Sequence, residues 1–151
     1  DPLQVLNATA PVNAEDASLD GFEIAVQHFF GDTGFGASWN YTMVDGSVTY
    51  NVADSSGPQF ALAGLSDSMN FALMYEDYGI QARIAYNWRD EFLSSTNRGQ
   101  GPRNPVYVAA TEQIDLNAGY QVNEQLSVSL DVINVLEEGH RKYGRSKNIA
   151  W

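Results

Sequence analysis

"IQARIAYNWRDEF", residues 80–92, is the stretch on which the fold turns. Ile80, Ala82, Ile84, Tyr86 and Trp88 occupy one set of alternate positions, and Gln81, Arg83, Ala85, Asn87 and Arg89 occupy the other. A period of two marks a β-strand, because successive side chains of a strand point to opposite faces. Two environments produce this pattern. A soluble sheet turns the apolar face toward a protein core, whereas a membrane barrel turns it toward lipid and keeps Arg83 and Arg89 in a wet lumen.

The same alternation recurs on both sides of this stretch. The first 20 residues, with Pro2 and Pro11, read as a loop. Phe22, Ile24, Val26 and His28 then oppose Glu23, Ala25 and Gln27, and Phe35, Ala37, Trp39, Tyr41 and Met43 oppose Gly36, Ser38, Asn40 and Thr42. Met69, Phe71, Leu73 and Tyr75 oppose Asn70, Ala72 and Met74; Ile114, Leu116, Ala118 and Tyr120 oppose Asp115, Asn117 and Gly119; Leu126, Val128, Leu130 and Val132 oppose Ser127, Ser129 and Asp131. The pattern predicts six strands over 21–30, 35–46, 67–76, 80–92, 112–122 and 125–136. Their links alternate in length. The turns Gly31–Gly34, Glu76–Gly79 and Val122–Gln125 are short and carry turn residues, whereas 46–66, 93–111 and 137–151 are long. The expected fold is all-β, an antiparallel up-and-down meander of about six strands.

Three features bear on lipid against core. All three short links fall at one end of the sheet, the sorting seen in outer-membrane barrels. Tyr41, Tyr75, Tyr78, Tyr86, Trp88 and Tyr120 lie toward strand ends, as interfacial girdles do. Glu23, Arg83, Arg89, Asp115 and Asp131 share the polar face with Ser, Asn and Gln, which suits a lumen and equally a solvated sheet. A soluble β-sandwich or a lipocalin-like ligand-binding module is the alternative reading. An open six-stranded sheet cannot sit in lipid, since each unpaired edge group costs several kcal/mol, so the lipid reading requires further strands from additional polypeptide.

Composition removes other classes. The formal net charge of -11, with 8 Lys and Arg against 19 Asp and Glu, argues against a nucleic-acid surface. There are no cysteines, hence no thiol nucleophile and no disulfide. His28 and His140 have no metal-ligand spacing, and Asp54 and Asp67 lie in no EF-hand pattern. The adjacent acids Glu76-Asp77 and Asp90-Glu91 point apart on a strand rather than flanking a substrate. "RGQGPRNP" (98–105) lacks the lysine and the strand-to-helix setting of a phosphate loop. No catalytic residue, metal or cofactor is expected, and the chain reads as something other than an enzyme.

Taken in order, "GFEIAVQHFF", "GFGASWNYTMVD", "LAGLSDSMNFALMYEDYGIQARIAYNWRDEF", "QIDLNAGYQVNEQLSVSLDVINVLEE" and "YGR" resemble the C-terminal barrel half of TonB-dependent outer-membrane receptors. The resemblance runs from about Pro11 to the end, and the subgroup it looks most like is associated with oligosaccharide uptake in proteobacteria, with siderophore receptors next. It implies a transmembrane barrel of about 22 strands with a plugged lumen, of which these would be strands 16 to 21. It also implies the bacterial outer membrane as location, its lipid as surroundings, and the rest of the barrel, a plug and TonB acting through that plug as partners. Against the family pattern, the plug and a last, aromatic-ended strand are expected to lie outside this chain. The ligand would be a small molecule or oligosaccharide. Sugars are held by planar polar groups and aromatic rings, which singles out Asn97, Arg98, Gln100, Arg103, Asn104 and Tyr107 in the second long loop and lumen-facing Asn87 and Arg89 below it.

Overall fold

A computed structural model describes residues 16–54, 59–97 and 104–148. Nine strands follow one another among these residues: β1 (Leu19–Phe29), β2 (Phe35–Gly46), β3 (Ser68–Asp77), β4 (Ile80–Arg89), β5 (Phe92–Ser95), β6 (Val106–Val108), β7 (Thr111–Asn123), β8 (Leu126–Val132) and β9 (Lys142–Tyr143). Six of them form one antiparallel sheet in the order β1-β2-β3-β4-β7-β8. β1 to β4 and β7 run 10 to 13 residues, enough to cross a bilayer at the usual tilt.

The register brings the alternate sets into line. Ala37, Leu73, Ile84, Leu116 and Val132 are successive cross-strand partners, as are Trp39, Phe71, Tyr86 and Ile114. Tyr41, Met69 and Trp88 continue the upper aromatic zone, and Phe35 with Tyr75, and Ile80 with Tyr120, form a lower one. An aliphatic row thus lies between two aromatic zones on one face. Nothing among the described residues covers it: Phe22 is 59% exposed, Ile84 50% and Leu130 64%. Burial of one such side chain is worth about 1.5–3 kcal/mol, so a sheet that leaves this whole face open has no core of its own. Among the described residues the buried apolar ones are instead Ala72 (3%) and Ala85 (5%), small partners on the opposite face, with Pro105 and Tyr143 (5%) outside the sheet.

The turns sort as their lengths predict. Phe30 N–H donates to Phe35 O around the Gly31–Thr33 turn, Glu76 N–H to Gly34 O, and Gln121 N–H to Gly79 O, which ties neighbouring short-link regions side by side. Gly34 (φ 75°) and Gly79 (φ 74°) take the left-handed conformation that these reversals need.

The structure differs from the sequence reading at the long-link end. The strand expected over 80–92 stops at Arg89, and the loop expected over 93–111 contains two short strands. The strand expected over 125–136 ends at Val132, because Asn134 and Glu137 adopt positive φ and turn the chain. β5, β6 and β9 form a second, three-stranded sheet in which the segment after β8 pairs with the connection between β4 and β7. Among the described residues, no strand pairs with the outer edge of β1 or β8.

Candidate ligand-facing surface

The polar face of the large sheet carries its functional groups in rows set by the strand register. Asn40, Asn70, Asn87 and Gln113 stand side by side on β2, β3, β4 and β7. The next row toward the long-link end holds Thr42, Ser68, Arg89 and Thr111. Asn70 Nδ2 donates to Asn40 Oδ1 at 2.8 Å. Gln113 Nε2 donates to Asp115 Oδ1 at 2.8 Å, Asn87 Nδ2 donates to its Oδ2 at 3.5 Å, and the Asn134 N–H reaches Oδ1 at 2.9 Å. The Asp115 carboxylate is therefore occupied from within the wall.

Of the lumen candidates, Asn87 sits in the carboxamide row as its parity predicts. Arg89 shares that face, but its guanidinium is committed to structure. Nε donates to Ser66 Oγ at 2.7 Å, Nη2 to Gly64 O at 3.0 Å, and the group lies 4.0 Å above the Phe92 ring. This clamps the first long loop to the end of β4. Asn97 and Asn104 are brought together, with Asn104 N–H 3.5 Å from Asn97 Oδ1, while Ser95 Oγ donates to Asn97 O at 2.9 Å. Tyr107 stacks on Tyr143, with ring centroids 5.4 Å apart and planes 13° off parallel. Arg98, Gln100 and Arg103 lie outside the described residues.

The long connections lock onto one another. Gly64 N–H donates to Leu93 O, Arg145 Nη1 to Val52 O at 3.1 Å, and Lys147 Nζ pairs with Glu91 Oε2 at 2.8 Å. Burial pushes the Glu91 carboxyl up, but hydrogen bonds from Lys147 and Tyr143 and the ammonium charge outweigh it and hold the group below its ordinary range. Burial and the hydrogen bond to Glu91 push the Tyr143 phenol far up, so it stays a donor. Burial, with Tyr50 and Glu91 nearby, raises Tyr107 as well. A cleft of about 280 Å³ opens between the end of β2 and β5, lined among others by Tyr50, Leu62, Leu65, Glu91, Phe92 and Tyr107. Tyr50 Oη is shielded from solvent there and has no hydrogen-bond partner among the described residues.

Several of these residues escape sequence reading. Asn40, Asn70 and Gln113 have the right parity, but only the register shows that they adjoin Asn87. Tyr50, Glu91 and Tyr143 meet through loop folding, which leaves no periodic mark. Asp67, considered as a cation ligand, instead accepts from Tyr41 Oη at 2.9 Å and Val44 N–H at 3.1 Å, pinning the loop to β2. Among the described residues no cluster of His, Cys, Asp and Glu could hold a metal ion.

One face that buries nothing and another lined by water-seeking groups describe a barrel wall. The family model for the TonB-dependent receptor-like β-barrel matches residues 1–135. No curated protein and no solved structure matches the chain. Receptors of this family are bacterial outer-membrane proteins that transport ligands rather than transform them. With 135 of its 151 residues matched, this chain belongs to the TonB-dependent receptors, as part of their β-barrel.

Proposed function

We propose that this chain is wall for a receptor that admits a ligand too large for general porins, an oligosaccharide or an iron–siderophore. The remaining strands and a plug come from additional polypeptide, and energy reaches the plug through TonB. The supporting observation is the unpartnered aliphatic row between two aromatic zones, backed across the same strands by carboxamides, hydroxyls and charged groups that are hydrogen-bonded to neutral partners. Lipid is the phase that solvates the first face, and closing the sheet into a barrel satisfies the edges of β1 and β8. Loop residues Asn97, Arg98, Gln100, Arg103, Asn104 and Tyr107 would meet the ligand first, and Asn87 would follow below. Arg89 holds the first long loop, which bonds to the second through Gly64 N–H and Leu93 O.

Uptake by cells carrying the full-length receptor tests this. Accumulation of an oligosaccharide or a ferric chelate is expected to stop when the proton gradient is discharged, while binding at the surface persists. A receptor that extracts from cells as a soluble monomer without detergent would contradict it.

A further inference from the structure

The apolar face of the wall is interrupted by a hollow, whose occupant follows from the reading above that this face meets lipid. Tyr75, Ala82, Ala118 and Leu130 are successive cross-strand partners on this face. The row toward the long links is Leu73, Ile84, Leu116 and Val132, and the row toward the short turns is Ile80, Tyr120 and Val128. Two methyl side chains are thus ringed by large ones. They floor a depression of about 270 Å³ walled by Ile84, Leu116, Leu130 and Val132.

Small residues are not what a strand prefers there. Alanine is depleted in strands, where branched and aromatic side chains fit the pleated surface better. The lining of the hollow comes from β4, β7 and β8 alone, so no other segment among the described residues packs into it. The space is open to whatever surrounds the sheet.

The chemistry of the walls selects the occupant. The side chains of floor and walls are aliphatic, and Arg83 and Asn117 border the hollow from positions whose side chains belong to the opposite face. β4 and β7 are paired on both sides, so their backbone offers no free edge to an extended peptide. A sugar, an ion or a strand finds no hydrogen-bond partner in it. Hydrocarbon fits, and the hollow is continuous with the band that lipid covers. Beside it toward the short turns stand Tyr75 and Tyr120, amphipathic rings of the kind that sit at headgroup level. Lipid tails are as apolar as leucine, so the gain over bulk bilayer is closer van der Waals packing, not dehydration.

We propose that Ala82 and Ala118 floor a seat for one acyl chain of a phospholipid in the leaflet on the short-turn side. The test uses the full-length receptor, purified in detergent and reloaded with palmitoyl-oleoyl phosphatidylethanolamine. Native mass spectrometry counts the phospholipid molecules that stay bound as detergent is raised. Wild type is expected to keep one more than the filled variant A82L/A118L, whose apparent affinity for that last molecule should be about fivefold weaker. Ala37→Leu, the same change on the same face two strands from β4, should leave retention as in wild type. If the double variant fails to assemble, A118V alone carries the comparison, with a weakening of about twofold expected.

Equal retention by wild type and filled variant overturns the seat and leaves the lipid-facing wall intact. A wild-type dimer that the filled variant loses would mean that a second copy occupies the hollow, and also overturns it. A receptor that keeps no phospholipid and stays monomeric without detergent removes both readings.

Discussion

The two sheets of this molecule solve opposite problems. The six-stranded wall leaves Phe22, Ile84 and Leu130 bare and buries only small side chains. The three-stranded sheet, built from strands of two to four residues, buries Tyr143, stacks it on Tyr107 and closes over with the Glu91–Lys147 pair. The wall is long and regular but depends on a surrounding apolar phase. The small sheet is short and irregular, yet its own side chains cover one another. Strand length is therefore no guide to which part carries its own packing; the source of solvation for the apolar groups is.

The largest expected effect tests the wall. Ile84→Arg puts a charge in the middle of the aliphatic row, and in lipid it should destabilise the refolded full-length receptor by about 2–4 kcal/mol. Ser129→Arg, on the opposite face, should change stability by less than about 0.5 kcal/mol. Urea unfolding from lipid vesicles measures both, and equal small effects would make the wall an ordinary solvated sheet.

Next in size is Gly34→Ala at a short turn. The left-handed backbone there, and an added Cβ only 2.8 Å from Asp77 Cβ, should cost about 1–3 kcal/mol in the same assay. Asp67→Ala bears on the seam between wall and loops. It strands Tyr41 Oη and the Val44 N–H, a loss of about 1–2 kcal/mol, and should raise hydrogen exchange at Val44.

The smallest effect belongs to the small sheet. Lys147→Ala removes a largely exposed ion pair worth no more than about 1 kcal/mol, visible as faster exchange at the Ala109 amide, which donates to Arg141 O. The pH dependence has a definite sign. The Glu91 carboxyl titrates lower in the folded tail than when released, so its contribution is complete above the ordinary value of about 4.3 and fades as pH falls through the lower folded one. The protection factor of the Ala109 amide, its exchange rate corrected for the intrinsic pH dependence, should therefore fall on acidification below about pH 4, and Glu91→Gln should flatten that response.

What the sequence discloses follows the same division. Leu73, Ile84 and Leu116 reveal themselves because one side of each strand is uniformly apolar, and a period of two survives over ten residues. "FLSS", "VYV" and "KY" are too short to show a period, and β9 finds β6 only through a fold that carries the chain back over itself. For the ligand-facing surface, parity places Asn87 and Arg89 on the wet face. It does not show that Arg89 is spent on Gly64 and Ser66, because that depends on where a loop lands. Nor does it align Asn40 with Asn70, since a slip of two residues keeps the parity and breaks the row.

The pairing of Tyr107 with Tyr143 joins positions 36 apart, with all of β7 and β8 between them. The entropy of closing so wide a span is recovered only once those strands have doubled back, which makes this junction a late event in maturation. Protection of the Tyr143 amide would then serve as a timestamp, marking receptors whose preceding hairpin is already seated.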